Sequence, residues 1–271
     1  MRKIGLEFLG VFGLSPVKLV EIASDLGCDF IGTVPAPMDY NPEGFDRWNL
    51  MEDAHLRCEL KAVLAERGVE LLLGDGCPFL PGASVRDALG PNLDLYHELG
   101  ITRVNSISFL PSIDESCEQF AQFAELAVER GMIPTIEFCP ISVVGNLAAA
   151  VRVVRHAGPH ARLLIDAMHF YRSGSTVAEL AEVADLAGHV QLCDAPREPS
   201  LPEYMDEALY ARRVPGEGDA PLVEMLAAVP QAQTIGLEIP MRDLAEQGIG
   251  PHERMARCVA GARRVIALAD A

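Results

Sequence analysis

The feature that most constrains the fold of this sequence is an eightfold alternation of short apolar strands with longer helices. Ser15 and Pro16 show how a unit begins, because serine caps a helix and proline is favoured at its first position. Glycine follows the predicted ends of four helices, at Leu26-Gly27, Arg67-Gly68, Leu99-Gly100 and Arg130-Gly131, as is typical of a left-handed helix cap. Strand–helix alternation favours a parallel sheet. Eight such units in 271 residues match the size of a closed (β/α)8 TIM barrel.

The predicted elements cover the chain without a recognisable linker, so residues 1–271 are predicted to form one domain. The predicted strands are Lys3–Leu9, Asp29–Val34, Val69–Leu73, Ile101–Ile107, Ile133–Phe138, Arg162–Ile165, His189–Cys193 and Thr234–Ile239. The predicted helices are Ser15–Leu26, Met51–Arg67, Val85–Leu99, Glu115–Arg130, Leu147–His156, Val177–Ala187, Pro221–Val229 and His252–Ala269. An open, doubly wound sheet is the competing fold. It is disfavoured because no strand is followed by a GxGxxG motif or a phosphate-binding loop.

Composition limits the classes of partner. The formal net charge of −17 would repel nucleic acids and anionic membranes, so neither is expected as a main partner, and a small molecule is expected as the substrate. No apolar stretch approaches the ~20 residues of a membrane-spanning helix. The N-terminus lacks the features of a secretory signal. Seven scattered cysteines without a CxxC motif predict reduced thiols and a cytoplasmic location.

Polar residues interrupt the apolar runs of the last four predicted strands. They are Glu137, Asp166, Gln191 and Glu238. A buried acidic group is costly unless it is paired or bound to a metal, and functional residues of such barrels lie at the C-terminal ends of strands. Any one of these residues alone could be an internal hydrogen-bonding or ion-pairing group. Four in successive strands favour a metal site, and oxygen ligands suit Mg²⁺ or Mn²⁺ better than zinc.

The chain resembles the xylose isomerase-like TIM barrels, the sugar phosphate isomerase/epimerase superfamily. The motifs that carry the resemblance are IEF at Glu137, IDxxH at Asp166 and His169, HVQLxD at 189–194, PGEGD at 215–219 and LE at Glu238. The resemblance implies one Mn²⁺ or Mg²⁺ ion held by Glu137, Asp166, Gln191 and Glu238. It also implies that Glu137 and Glu238 exchange protons with the substrate, and that His169 contacts it.

The resemblance implies a metal-dependent isomerase or epimerase that removes a proton next to a carbonyl of a small sugar or hydroxy-carbonyl compound. Gln191 stands where most members have histidine, and this resembles the 3-dehydroshikimate dehydratase branch. A metal-dependent dehydratase (a lyase), with His169 as its base, is therefore the alternative. A further alternative is a non-catalytic barrel subunit, against which the presence of Glu137 and Glu238 argues.

Outside the strands, further candidates are weaker. Arg197 lies six positions beyond Gln191, where epimerases of the family carry a substrate-binding arginine; Arg212 and Arg213 precede PGEGD, and Glu217 lies within it. The resemblance implies substrate binding for Arg197. Arg212 or Arg213 could bind a substrate carboxylate through two hydrogen bonds, and Glu217 is a candidate for binding substrate or orienting a ligand. The loop Pro35–Asn49, which contains Tyr40 and Trp48, is predicted to form either a lid over the pocket or a contact in a homo-oligomer.

Overall fold

The computed structural model describes residues 2–271 and closes eight parallel strands into a barrel. The strands are β1 (Ile4–Leu6), β2 (Phe30–Thr33), β3 (Glu70–Phe79), β4 (Arg103–Ser108), β5 (Ile133–Glu137), β6 (Arg162–Asp166), β7 (Ala187–Gln191) and β8 (Ile235–Leu237). Each strand pairs with its neighbours in chain order, and β1 closes on β8 with Gly5 opposite Gly236. The predicted single (β/α)8 TIM barrel is confirmed.

Helices surround the barrel. They are α1 (Pro16–Asp25), α2 (Ala54–Arg67), α3 (Val85–Leu99), α4 (Ile113–Glu129), α5 (Leu147–Ala157), α6 (Ala167–Arg172), α7 (Val177–Glu182), α8 (Tyr204–Tyr210), α9 (Leu222–Ala228), α10 (Arg242–Glu246) and α11 (Pro251–Ala269). The short helices α6, α8 and α10 lie in segments for which the sequence pattern predicts no helix. Within residues 2–271, no helix combines the length and the apolar character needed to cross a bilayer.

The predicted helix boundaries are most accurate where capping residues define them. The predicted bounds of α3 are those observed, and the Ser15 side chain accepts a hydrogen bond from the backbone of Lys18 at the start of α1. The glycines at the four predicted junctions all have positive φ: Gly27 (65°), Gly68 (66°), Gly100 (78°) and Gly131 (76°). Local backbone chemistry therefore fixes these ends independently of tertiary packing.

Two strand boundaries differ from the prediction in a way that matters for the site. The predicted strand Lys3–Leu9 is too long, because the chain leaves β1 at Leu6 and turns into a 3₁₀ helix. The predicted strand Val69–Leu73 is too short, because β3 continues to Phe79 through a glycine-rich stretch that resembles a turn. The strand requires glycine at position 74, because an added Cβ would lie 2.6 Å from the Tyr96 ring.

The apolar core lies between the strands and the helices. Phe79 of β3 packs against Phe120 and Phe123 of α4, with ring centroids 6.4 and 5.7 Å away. Inside the barrel, the Phe30 ring makes an edge contact with the His189 ring at 5.9 Å. Most of the interior beyond Phe30 is polar, and this polar interior leads to the site.

Replacing Gly5 with alanine is expected to destabilise the barrel by about 1–3 kcal/mol, the usual cost of overpacking a core. An added Cβ would lie 2.2 Å from a ring carbon of Phe30. Gly250→Ser is the matched control, because a Cβ at the N-cap of α11 would meet nothing within 4 Å. Urea unfolding of the two variants measures the difference. A Gly5→Ala protein as stable as the parent would contradict the close packing of Phe30.

Candidate functional site

The predicted metal ligands gather at the C-terminal end of the barrel, where β5, β6 and β7 end and just beyond β8. Glu137, Asp166, Gln191 and Glu238 are all buried. Glu137 and Glu238 line a cavity of about 540 Å³ together with His169 and Arg212. The barrel therefore brings two predicted acid/base residues and one predicted substrate-binding residue to the same cavity.

His169 is held in a defined orientation. The Asp166 carboxylate caps α6 by accepting a hydrogen bond from the His169 backbone N–H, at 2.8 Å. The His169 Nδ1 atom lies 2.5 Å from the Tyr204 hydroxyl, and Nε2 lies 3.2 Å from Oε1 of Glu137. The Nε2 atom faces the Glu137 carboxylate, so it carries the proton of a neutral imidazole and donates to Glu137. The Nδ1 atom then accepts a hydrogen bond from the Tyr204 hydroxyl, whose pKa is raised by burial.

Arg212 connects two of the predicted ligands. Its Nη1 atom forms an ion pair with Oδ2 of Asp166 and lies 3.1 Å from Oε2 of Glu238. Burial alone would raise the pKa of Asp166, but Arg212 and His169 outweigh it, so that the pKa is lowered. Burial would lower the pKa of Arg212, yet the surrounding acidic groups, Asp166 first, raise it well above its usual value. Arg212 is therefore a permanent positive charge inside the site.

Helix α8 positions two side chains of the site: Tyr204 is its first residue, and Arg212 lies two residues after its end. It is fastened to α6 by Glu207, whose Oε1 lies 3.1 Å from Nη2 of Arg172. The sequence prediction treats this segment as part of a long loop and so misses Tyr204 altogether. The i, i+3, i+4 spacing of Tyr204, Glu207 and Ala208 is the signal that could have indicated a packed helical face.

Two further acidic residues, Glu7 and Asp75, lie in the barrel interior. Oxygen atoms of Glu7, Asp75 and Glu238 all lie within 4.8 Å of one another. Burial, reinforced by the Glu137 charge, raises the pKa of Glu7 to about 8 and that of Asp75 to about 7. The interior thus holds more acidic groups than Arg212 alone can neutralise.

The donor set fits a hard divalent cation. Among the side chains of residues 2–271, Gln191 contributes the only buried oxygen, Oε1, that has no hydrogen-bond partner. Glu7 accepts hydrogen bonds at both oxygens, and Asp75 accepts one from the Gly76 backbone. Asp166 and Glu137 of the predicted set are likewise engaged at both oxygens. The unpaired oxygen of Gln191 is therefore the feature that supports the predicted set, whereas close spacing is the feature that supports Glu7, Asp75 and Glu238. Burial raises the pKa of Glu238 well above its usual value, so a nearby cation would stabilise its ionised form.

Three of the predicted substrate-binding residues lie elsewhere. Arg197, Arg213 and Glu217 are exposed. Arg213 and Glu217 line a separate cavity of about 360 Å³, which shares Arg212 with the site. The structure does not bring these three residues to the cavity that contains His169.

The PGEGD motif is organised around Asp194. The Asp194 carboxylate accepts hydrogen bonds from the backbone N–H groups of Gly216, Gly218 and Ala220, at 2.9, 3.0 and 3.1 Å. An added Cβ at Gly218 would lie 2.4 Å from Oδ1 of Asp194, so the close approach requires glycine. The motif therefore shapes the loop that follows Arg212.

The walls of the cavity are largely apolar. They include Phe8, Leu9, Val34, Pro35, Ala36, Pro37, Met38, Ile107, Phe109, Met205 and Leu209. The first part of the predicted lid segment therefore forms one wall. The later part of that segment is tied down, since Trp48 Nε1 donates to the Gly13 carbonyl at 3.0 Å and Tyr40 packs edge-on against Phe12 and Tyr210.

The fold and the site define a TIM barrel with an acidic centre at the C-terminal ends of its strands. The model of the xylose isomerase-like TIM barrel family matches residues 20–258, and the chain belongs to that family. The resemblance found in the sequence is confirmed. No curated protein sequence gives a significant match.

Solved structures with the same fold include proteins of different activity. The IOLI protein, solved with a bound zinc atom, has a TM-score of 0.81 and 17% identity, covering 98% of each chain. D-psicose 3-epimerase from Clostridium cellulolyticum H10 has a TM-score of 0.72 and 15% identity, covering 98% of this chain and 99% of its own. The probable 3-DHS dehydratase AsbF from Bacillus anthracis has a TM-score of 0.72 and 12% identity, covering 94% and 98%. At these identities the likeness establishes the fold alone.

The metal-free protein, prepared with a chelator, is expected to lose stability as the pH rises from about 5 to 9. Because the pKa values of Glu7 and Asp75 are raised to about 8 and about 7, the folded chain binds these protons more tightly than the unfolded chain. This stabilisation is complete below the unfolded-state values near about 4, and it is lost as the pH passes through the folded-state values. Melting temperatures by circular dichroism measure the effect.

Glu7→Gln lacks one of the titrating groups and is the control, which should show a weaker dependence on pH. Adding Mn²⁺ to the parent at high pH should restore part of the lost stability, because the ion replaces the protons. A melting temperature that stays constant or rises over this range in the chelated parent would contradict the prediction.

Proposed function

We propose that this protein is a divalent-metal-dependent isomerase or epimerase that removes a proton next to a carbonyl of a small sugar or hydroxy-carbonyl substrate. One observation carries the proposal. Glu137 and Glu238 line the same cavity as His169 and Arg212, and Gln191 at the end of β7 contributes a buried oxygen without a partner. All seven cysteines are unpaired, which is compatible with action in the cytoplasm.

Glu137, Asp166, Oε1 of Gln191 and Glu238 would hold one Mg²⁺ or Mn²⁺ ion. When bound, the ion would supply Lewis-acid stabilisation of the negative charge that develops on the substrate oxygen. Arg212 contacts Oδ2 of Asp166 and Oε2 of Glu238, which leaves Oε1 of Glu238 for coordination, while Oδ1 of Asp166 would coordinate with its second lone pair because it also accepts from the His169 backbone N–H. The four-oxygen set agrees with a hard cation.

The protein's own side chains supply the proton transfers. Glu137 ends β5 and Glu238 follows β8, three strands away around the barrel, so a substrate between them can lose a proton to one carboxylate and receive one from the other. His169 donates at Nε2 and can hydrogen-bond a substrate oxygen once it exchanges Glu137 for the substrate. The apolar walls offer few partners for hydroxyl groups beyond the reacting end of the substrate.

A dehydratase is the second candidate, and Gln191 favours it. Removal of water from a 3-dehydroshikimate-like substrate also begins with a proton next to a carbonyl. His169 would then serve as the base, accepting the proton at Nε2 while Nδ1–H donates to the Tyr204 oxygen 2.5 Å away. As a base, His169 must carry its proton at Nδ1 and not at Nε2. As a hydrogen-bond donor to the substrate, it keeps the proton at Nε2.

Incubation with Mg²⁺ in deuterated water distinguishes the two reactions. A panel of ketoses, hydroxyacetone and 3-dehydroshikimate is followed by proton NMR for loss of the α-hydrogen signal. Exchange or interconversion of a ketose would support the isomerase or epimerase, and conversion of 3-dehydroshikimate to an aromatic product would support the dehydratase. The absence of exchange with every compound, in a protein that binds the ion, would contradict both and favour a non-catalytic subunit.

Replacing Glu137 and Glu238 singly with glutamine is expected to abolish turnover in different ways. Losing the residue that removes the proton should stop α-hydrogen exchange, while losing the one that returns it should leave exchange detectable as product formation collapses. Each general acid or base typically contributes ~10²–10⁴-fold. Rates are measured at saturating Mg²⁺ to separate catalysis from metal affinity.

Arg213→Gln is the control, since this residue lies on the neighbouring cavity and should leave the exchange rate near that of the parent. If both glutamate variants turn over within about tenfold of the parent, below the range for an acid or base, carboxylate proton transfer is wrong. His169 would then be the leading base.

A further inference from the structure

A chain of hydrogen bonds runs through the barrel interior and ends at Gln191. Arg103 Nη1 donates to Oγ1 of Thr234 at 2.8 Å, and Oγ1 lies 2.8 Å from Nδ1 of His189. On its other side, His189 Nε2 lies 2.8 Å from Oε1 of Glu7. Glu7 Oε2 then accepts from Nε2 of Gln191 at 2.6 Å. Residues of four strands or strand ends are linked in this way.

The chemistry of its first member fixes the direction of this chain. Arginine can only donate, so the Thr234 hydroxyl accepts from Arg103 and gives its own proton to Nδ1 of His189. Arg103 Nη1, which can only donate, also lies 3.5 Å from Nδ1 of His189. An imidazole that accepts at Nδ1 carries its proton at Nε2. His189 therefore donates to Glu7.

The direction of the chain determines which end of the Gln191 amide faces Glu7. When Glu7 is ionised, as a bound cation would favour, the amide NH₂ group donates to the carboxylate, because the opposite rotation would place two acceptor oxygens 2.6 Å apart. The amide oxygen must then point away from Glu7. It is the buried oxygen that has no partner among residues 2–271.

The backbone makes room for this arrangement. An added Cβ at Gly236 would lie 1.6 Å from Oε1 of Glu7 and 2.7 Å from Nε2 of His189. Gly236 is the β8 residue paired with Gln191 of β7. Gly32 of β2 is also close, since its Cβ would lie 3.3 Å from Cγ of Glu7. Glycines at these positions of β2 and β8 therefore leave the space that the Glu7 carboxylate occupies.

We propose that Glu7, supported by Arg103, Thr234 and His189, is a positioning residue that locks the Gln191 amide with its oxygen directed at the metal. The inference rests on the metal site of the proposed function. An amide presents a ligand oxygen at one end and a cation-repelling NH₂ group at the other, so its rotation decides whether it binds at all. Carboxylates that orient metal ligands in this way typically contribute 10–100-fold to metal affinity, about the size expected here.

A double-mutant cycle tests the link between Glu7 and Gln191. The dissociation constant of Mn²⁺ is measured by isothermal titration calorimetry on chelator-treated parent, Glu7→Gln, Gln191→Ala and the double variant. We expect Glu7→Gln to weaken Mn²⁺ binding by about 10–100-fold in the parent and to add little in the Gln191→Ala background. Equal weakening in both backgrounds would overturn the proposal, because it would show that Glu7 acts on the ion through its charge alone.

Thr234 tests the chain without changing any charge. Thr234→Val keeps the shape but removes the hydroxyl that fixes the His189 tautomer, and it should weaken Mn²⁺ binding several-fold. Thr234→Ser keeps the hydroxyl and should restore the affinity of the parent, which a purely steric role of the side chain would not do. Melting temperatures identify any variant that fails to fold, and this pair carries the test if Glu7→Gln does not fold.

The outcomes separate this inference from the metal site itself. A parent protein that binds no Mn²⁺ would overturn both the metal site and the positioning role. A parent that binds Mn²⁺ while Thr234→Val binds it equally well would overturn the positioning role and leave the metal site standing.

Discussion

The structure depends on how the barrel accommodates five acidic side chains around one polar interior. They are Glu7, Asp75, Glu137, Asp166 and Glu238. Charges of the same sign in a poorly hydrated space raise one another's pKa values, and each such group must be protonated, paired or bound to a cation. Arg212 neutralises part of this charge by contacting Asp166 and Glu238. The remaining imbalance is the physical reason to expect a divalent cation.

The contact with Arg212 also explains the architecture beside the site. Arg212 reaches the carboxylates because α8 packs against α6 through the buried Glu207–Arg172 ion pair, and because the Arg212 Nε atom donates to the Ala208 carbonyl at 2.7 Å. Asp194 then orders the loop after Arg212, because its carboxylate accepts hydrogen bonds from the backbone N–H groups of Gly216, Gly218 and Ala220. The segment between β7 and α9 resembles a long loop in the sequence, but its contacts hold the Arg212 side chain in the site.

The part of the site that could be predicted from the sequence is the part encoded by strands. Glu137, Asp166, Gln191 and Glu238 interrupt apolar runs at strand ends, and the register of a parallel barrel must bring such ends together. The fold could also be predicted from the sequence, because hydrophobic periodicity and glycine caps are local patterns that indicate each strand and helix separately. A polar residue that interrupts an apolar strand has few structural explanations, and this is why the sequence alone draws attention to these four positions.

The residues that could not be predicted are those whose positions depend on boundaries or on loops. The predicted strand Lys3–Leu9 includes Glu7 as an ordinary strand residue, and the predicted strand Val69–Leu73 ends before Asp75 because the glycines of β3 resemble turn residues. Arg213 and Glu217 were chosen from their place in a motif, whereas that motif folds around Asp194 and leaves both exposed. Tyr204 had no motif at all. Tertiary packing, which a local pattern does not contain, decides each of these positions.

Strand ends and loops also contribute differently to the proposed function. Residues at strand ends bear on the class of reaction, and residues in loops bear on the choice of substrate. The polar floor is built from strand ends, and its carboxylates, imidazole and amide support the proposed proton transfer assisted by a hard cation. The walls come from the 3₁₀ helix after β1, the segment 35–38 and α8, and they are largely apolar. Apolar walls select by shape and buried area, which distinguish related molecules only weakly. Under the proposed function, the strand ends at the centre of the barrel would therefore determine the reaction, while the segments above them, which vary most easily in length and sequence, would determine the substrate.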